Sequence, residues 1–98
     1  MLPQQKKAFG EFYKSAHDNG VLDEKTTLMI HLAAAMALGC YPCMEYYLAQ
    51  TDKAGLSGEE ISTVQAIVMA VSAGKVNAQL QDVRKKTATC CDDTTCSE

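Results

Sequence analysis

The sequence predicts an all-α protein, a bundle of four to six helices that assembles into an oligomer. Apolar residues recur at helical spacing along most of the 98 residues, and no segment alternates with the period of two that is typical of strands. The connections between the periodic segments are short. A chain of this length buries only about 60–70% of its unfolded surface, so contacts between subunits would enlarge a small core.

The first two helices are predicted on either side of a turn. Proline suits a first helical turn, and residues 18–20 are turn formers, so the first helix is predicted over Pro3–His17. The second is predicted from an N-cap at Asp23 to Leu38, with Gly39 as its stop. This helix is apolar almost all round, which indicates that other helices or another subunit surround it.

Three further helices are predicted after Gly39. The third begins near Tyr41 and continues to about Lys53. The fourth begins at a capping box formed by Ser57 and Glu60, which have the required spacing of three. We expect Gly74 to break or bend this helix, followed by a last helix that ends in the basic residues 84–86.

The chain is predicted to contain one domain and a tail. Residues 1–86 form the helical domain, whereas residues 87–98 lack apolar periodicity and are expected to be a mobile C-terminal tail. The tail contains Cys90, Cys91 and Cys96. These cysteines are open to three interpretations: a dithiol arm that exchanges electrons with the folded domain, a site for a soft metal, or an end without function.

Composition excludes several classes of protein. Hydrophobic residues make up 47% of the chain and charged residues 21%, values typical of folded soluble domains. The net charge is −3 and there is no basic stripe, which argues against nucleic-acid binding. The longest apolar run, Leu28–Leu38, is far shorter than the roughly 20 residues of a membrane span. Because no secretory leader is recognisable at the N-terminus, we expect a cytoplasmic protein without a membrane anchor.

Cys40 and Cys43 form a Cys-x-x-Cys motif at the start of the third predicted helix. This spacing puts both sulfurs on one side of the first turn, within reach of a disulfide. The positive end of the helix dipole favours the thiolate, which is the nucleophilic form. The motif therefore predicts reversible thiol–disulfide chemistry. Two other interpretations remain open: half of a zinc site completed by tail cysteines, and inert cysteines packed as small hydrophobes.

Three motifs, in their order along the chain, resemble those of the carboxymuconolactone decarboxylase family, specifically of its alkylhydroperoxidase AhpD-like branch. They are Gly-Val-Leu-Asp-Glu-Lys-Thr at residues 20–26, the Cys-x-x-Cys, and Ala-Gly-Leu-Ser-Gly-Glu-Glu-Ile at residues 54–61. The resemblance extends from about Phe9 to Lys86.

The resemblance implies an AhpD-like helical fold, commonly oligomeric (dimer, trimer or hexamer), with neither a cofactor nor a metal. It implies that Cys43 reacts with a peroxide or disulfide substrate. Cys40 then resolves the oxidised sulfur and later meets a reducing protein partner.

The sequence departs from this family at the proton relay. The family has a glutamate twelve residues before the first cysteine and a histidine four residues after the second, and here these positions are Leu28 and Tyr47. Tyr47 is within hydrogen-bonding reach of Cys43, but a phenol with a pKa of about 10 is a poor base. His31, one turn after Leu28, is the nearest substitute. Its other interpretation is a core histidine with satisfied hydrogen bonds.

Together these residues predict a thiol-dependent oxidoreductase, of the peroxidase or disulfide-exchange type, whose site comprises Cys43, Cys40, Tyr47 and His31. Two alternatives stay open. One is a non-catalytic oligomeric binding or scaffold protein of the same fold. The other is a carboxymuconolactone decarboxylase-like enzyme, for which the second helix offers no base except His31.

Overall fold

A computed structural model describes residues 1–87, and within them the chain forms five helices and no strand. The all-α class predicted from the sequence is confirmed. The tail cysteines, and all but the first residue of the predicted tail, lie outside the described residues. The helices are α1 (Pro3–His17), α2 (Glu24–Leu38), α3 (Tyr41–Leu48), α4 (Thr51–Ala54) and α5 (Gly58–Thr87).

Helix α2 is the centre of the fold and packs against α3, α4 and α5. One face of α2 is buried, and Leu32 is completely inaccessible to solvent. Ile30, on another side of the helix, and Leu38, at its C-terminal end, are exposed in the single chain. Oligomer formation therefore stays a prediction. No helix among the described residues is long and apolar enough to cross a membrane. The buried apolar core consists of Leu28, Leu32, Ala35, Tyr47, Leu56 and Val64.

The capping residues predicted from the sequence stabilise the ends of α2 and α5. The Asp23 carboxylate accepts a hydrogen bond from the Thr26 N–H at 2.6 Å. The predicted capping box is confirmed, because the Glu60 N–H donates to Ser57 Oγ at 3.1 Å and the Ser57 N–H donates to Glu60 Oε1 at 2.9 Å. Glu60 also pairs with Lys25 at 2.8 Å, which ties α5 to α2 and lowers the pKa of the Glu60 carboxyl.

Helix α3 is shorter than the sequence predicts. It ends at Leu48 instead of continuing to Lys53, and α4 follows after a two-residue turn. At this point the Gln50 N–H donates to the Tyr47 carbonyl at 3.1 Å, three residues back instead of four, and the Thr51 hydroxyl donates to the Leu48 carbonyl at 2.8 Å. Gly55, with φ of +80°, then ends α4 in the left-handed conformation.

The predicted break at Gly74 is wrong, because α5 continues through it as one helix of 30 residues. An interior glycine costs only about 1 kcal/mol relative to alanine, and favourable helix formers on both sides offset that cost. No heavy atom of another element lies within 4 Å of where a Gly74 side chain would begin, so no close approach bends the helix there.

Candidate functional site

The cysteine pair lies where the chain passes from α2 into α3. Gly39 adopts a left-handed conformation with φ of +68° and ends α2. Its N–H donates to the Met36 carbonyl at 3.2 Å, and the Cys40 N–H donates to the Ala35 carbonyl at 2.9 Å. These two bonds form a Schellman motif. Cys40 is thus the last residue of the α2 terminus and at the same time the N-cap of α3.

Cys40 and Cys43 are positioned for a disulfide. Their Cα atoms are 5.3 Å apart and their sulfurs lie at disulfide-bonding distance. The Cys40 carbonyl accepts the Met44 N–H at 2.9 Å, which fixes the first turn of α3 between the two cysteines. Both cysteines are half-buried, and Cys43 packs against the core whereas the intervening Tyr41 and Pro42 are exposed. The cysteine pair is therefore anchored to the core through Cys43, and solvent reaches it on the side of Tyr41 and Pro42.

Tyr47 lies one turn after Cys43, but its hydroxyl is engaged elsewhere. The sequence placed it within hydrogen-bonding reach of Cys43, whereas in the structure its hydroxyl bonds that of Tyr13 on α1. The side chain is buried, with 4% exposed. Burial, and secondly the bond to Tyr13, raise the pKa of the Tyr47 phenol well above its ordinary value. Tyr47 is consequently a neutral hydrogen-bonding group and not a base.

His31 has one nitrogen occupied and one available. Its Nδ1 lies 2.8 Å from the Thr27 carbonyl, and because a carbonyl oxygen only accepts, the proton is assigned to Nδ1. The Nε2 atom then carries the lone pair. The His31 ring is half-buried and its centroid lies 4.9 Å from that of Tyr47. The structure thus brings together two of the predicted site residues and leaves the basic nitrogen of one free to accept a proton.

Helix α1 adds two residues to this group that the sequence did not assign to the site. The ring centroids of Tyr13 and His17 lie 6.4 and 5.7 Å from that of His31. His17 is half-buried, and its Nδ1 contacts Asp18 Oδ1 at 3.0 Å. Their spacing of four residues places Tyr13 and His17 on one face of α1, which is the one signal in the sequence that could have grouped them. We call Tyr13, His17, His31 and Tyr47 the ring cluster.

A small cavity adjoins the ring cluster. It has a volume of about 30 Å³ and its lining includes His17, Glu24 and His31. This volume suits one or two water molecules, or a molecule of similar size. Among residues 1–87, no group of three or more His, Cys, Asp or Glu side chains is arranged to hold a metal ion.

Comparison with known proteins places this architecture in a family. Neither the curated proteins nor the solved structures include a significant match to the chain. Residues 3–85, which include the cysteine pair and all but the last two residues of the described helices, match the sequence profile of the carboxymuconolactone decarboxylase family. The match agrees with the motifs at residues 20–26 and 54–61, and with the all-helical fold. The chain belongs to the carboxymuconolactone decarboxylase family.

Proposed function

We propose that this protein is a cytoplasmic thiol-dependent oxidoreductase of the AhpD-like branch, in which Cys43 attacks a peroxide or disulfide substrate and Cys40 resolves the product. The observation that supports this proposal is the placement of both sulfurs at disulfide-bonding distance in the first turn of α3. The backbone N–H groups of that turn stabilise a thiolate, which is the reactive form of cysteine.

The reaction with a peroxide takes two steps. The Cys43 thiolate attacks one peroxide oxygen, the O–O bond breaks, and the sulfur becomes a sulfenic acid while the leaving oxygen takes a proton to form an alcohol or water. The Cys40 thiolate then attacks the Cys43 sulfur and expels hydroxide, which is protonated to water. The two thiols lose two electrons and the peroxide gains them.

A dithiol protein partner would restore the reduced state. One of its thiolates attacks the Cys40 sulfur, forms a mixed disulfide and releases the Cys43 thiolate. The second thiol of the partner then attacks the partner sulfur of the mixed disulfide. This step releases the Cys40 thiolate and the oxidised partner. Cys40 suits this role because it lies outside the helix, ahead of the exposed Tyr41 and Pro42, whereas Cys43 packs against the core.

Tryptic digestion separates the cysteines for a direct test. Cleavage after Lys25 and Lys53 releases both site cysteines in one peptide, whereas cleavage after Lys86 releases the three tail cysteines in another. Fully reduced protein is exposed briefly to one equivalent of peroxide, alkylated and digested. We expect an internal disulfide in peptide 26–53 well before the tail peptide is oxidised. If peptide 26–53 is oxidised no faster than the tail peptide, the proposal is wrong.

We propose His31 as the proton acceptor in place of the missing relay, because its ring lies against Tyr47, one turn after Cys43. It offers a free Nε2, whereas Tyr47 is held neutral. His31→Gln is expected to slow disulfide formation in peptide 26–53 by about 10-fold or more. The lower end of this expectation is somewhat smaller than the rate reduction that usually follows the loss of a general acid or base.

His17→Gln is the matched control, because it removes the neighbouring ring of the same cluster. We expect this variant to react at nearly the wild-type rate. Circular dichroism spectra identical to that of the wild type would show that both variants keep the fold. Equal rates for His31→Gln and the wild type would refute the assignment of His31.

A further inference from the structure

The proposed reaction with a peroxide consumes protons that have to reach a half-buried site. Reduction of a peroxide to an alcohol and water takes up two electrons and two protons. The dithiol partner supplies the electrons, but its thiols react as thiolates and release their protons into solvent. Because Cys43 packs against the core, these two protons must enter the chain from solvent by a route of their own.

The His31 ring holds one proton firmly and exchanges another. Its Nδ1 proton is bonded to the Thr27 carbonyl at 2.8 Å, so Nε2 is the atom that takes up and releases a proton. After each transfer to a leaving oxygen, Nε2 has to be protonated again. Tyr47 is a poor donor for this step, because burial and the bond to Tyr13 raise the pKa of its phenol.

The cavity of about 30 Å³ beside the ring cluster connects His31 with solvent. Thr27 and Leu28 in its lining are buried, and the other lining residues except Glu24 are half-buried. Glu24 is exposed, so the cavity opens to solvent where Glu24 lies. The cavity therefore extends from the His31 ring to the surface at the start of α2.

Helical spacing places the two ends of this cavity on one side of α2. Glu24 and His31 are seven residues apart, which corresponds to two turns. They are therefore separated by about 10 Å along the helix axis. This distance is too long for a direct hydrogen bond, but a glutamate side chain and one or two water molecules span it.

The polar groups of the lining suit water. A buried water molecule needs about two to four polar partners, and the cavity has room for one or two such molecules. Gln50 donates from its amide nitrogen to the Tyr46 carbonyl at 3.3 Å, and its amide oxygen is an acceptor. The Glu24 carboxylate and His31 Nε2 are acceptors as well. A continuous line of hydrogen bonds can thus form between the two ends of the cavity.

Glu24 is the group in the lining that can exchange protons with solvent. The other ionisable side chains around the His31 ring are Tyr13 and His17 of α1 and Tyr47 of α3. His17 is half-buried and the two tyrosines are phenols. Among the residues that the structure describes, Glu24 is the one carboxylate that lines this cavity, and it is fully in contact with solvent.

We propose, on the basis of the function proposed for the cysteine pair, that Glu24 and the water of this cavity form the route by which protons from solvent reach His31. The Glu24 carboxylate takes up a proton, which passes through one or two water molecules to His31 Nε2 and from there to the leaving oxygen. Glu24 is then ionised again and can accept the next proton. Glu24 touches no reacting atom and acts only through His31.

The pH dependence of disulfide formation tests the route. Fully reduced protein receives one equivalent of peroxide, and oxidation of peptide 26–53 is followed over time at several pH values. As the pH rises, the cysteines have already lost their protons and more protons must be delivered. We expect Glu24→Gln to react at nearly the wild-type rate near pH 6. Near pH 8 it should be about 5-fold slower, less than the effect of removing a general acid itself.

Glu59→Gln is the matched control for Glu24→Gln. Glu59 is likewise an exposed glutamate in the first turn of a helix, so its replacement removes the same interaction with a helix dipole. We expect Glu59→Gln to react like the wild type at both pH values.

Ala54→Val tests the cavity without changing an ionisable group. Ala54 lines the cavity, and the two additional methyl groups of valine fill space that water would occupy. We expect this variant to be slowed near pH 8 about as much as Glu24→Gln. Ala49→Val makes the same change at an exposed position in the turn before α4 and is expected to keep the wild-type rate. Circular dichroism shows whether each variant keeps the fold.

Addition of imidazole separates a loss of proton transfer from a structural effect. An imidazolium ion can donate a proton at the mouth of the cavity in place of the Glu24 carboxyl group. We expect a high concentration of imidazole to restore the rate of Glu24→Gln near pH 8. It should not restore Ala54→Val, in which the interior of the cavity is blocked.

Three results would overturn the route: equal rates of Glu24→Gln and Glu59→Gln near pH 8, a wild-type rate in Ala54→Val, or no effect of imidazole on Glu24→Gln. Each of them leaves the proposed function intact as long as the wild type forms its disulfide rapidly. Disulfide formation in wild-type peptide 26–53 that is no faster than oxidation of the tail peptide would instead refute the proposed function, and the route with it.

Discussion

Replacing Cys43 with serine is expected to reduce peroxide consumption to the slow rate of ordinary free thiols, four of which remain in the chain. A serine hydroxyl is not ionised near neutral pH and cannot form a sulfenic acid, so neither step of the proposed reaction takes place. Peptide 26–53 of Cys43→Ser should gain no disulfide after a peroxide pulse. The measurement is peroxide loss over time together with the mass of this peptide.

The reciprocal variant separates the roles of the two cysteines. In Cys40→Ser, Cys43 still reacts once but has lost its proposed resolving thiol, so the sulfenic acid should accumulate and be trapped by a carbon nucleophile such as dimedone. Cys96→Ser controls for the loss of a thiol elsewhere in the chain and should react like the wild type. Trapped sulfenic acid in Cys43→Ser, and none in Cys40→Ser, would show that the roles are reversed.

The local structure around this site was predictable because short-range hydrogen bonds determine it. Asp23, Ser57 and Gly39 end or begin helices through contacts within a few residues of themselves, and each was recognisable from residue type and spacing. The same reasoning failed at Thr51 and Gly74. The end of α3 just before Thr51 and the tolerance of Gly74 inside α5 depend on small, competing free energies that residue type alone does not decide.

The ring cluster could not be predicted from the sequence, for a different reason. Helical periodicity showed that Tyr13 and His17 share a face of α1, but it does not show which element that face meets. The answer depends on the turn between α1 and α2, where Asn19 donates to the Thr27 hydroxyl at 3.1 Å and accepts the N–H groups of Val21 and Leu22. Across this turn the Tyr13 hydroxyl meets that of Tyr47 and engages its phenol.

Leu32→Ala is expected to lower the free energy of unfolding by about 2–5 kcal/mol, the range for a leucine truncated in a packed core. Leu32 has no exposed surface, and its neighbours in the core come from α2, α3, α5 and the segment before α5. Only six apolar side chains are buried among the described residues, so few others are available to repack around the cavity. A loss of this size is a large part of the roughly 5–15 kcal/mol typical of a small domain.

Leu38→Ala is the matched control, since it makes the same change in the same helix at a side chain that is 83% exposed. Away from packed positions, such a change usually alters stability by less than about 0.5 kcal/mol. Both variants are unfolded in urea at one fixed protein concentration, because association would otherwise shift the transition. Equal losses in the two variants would mean that Leu38 is as deeply covered as Leu32 in the native assembly. The C-terminal end of α2 would then lie in a subunit interface, and the single chain would not account for the stability of the fold.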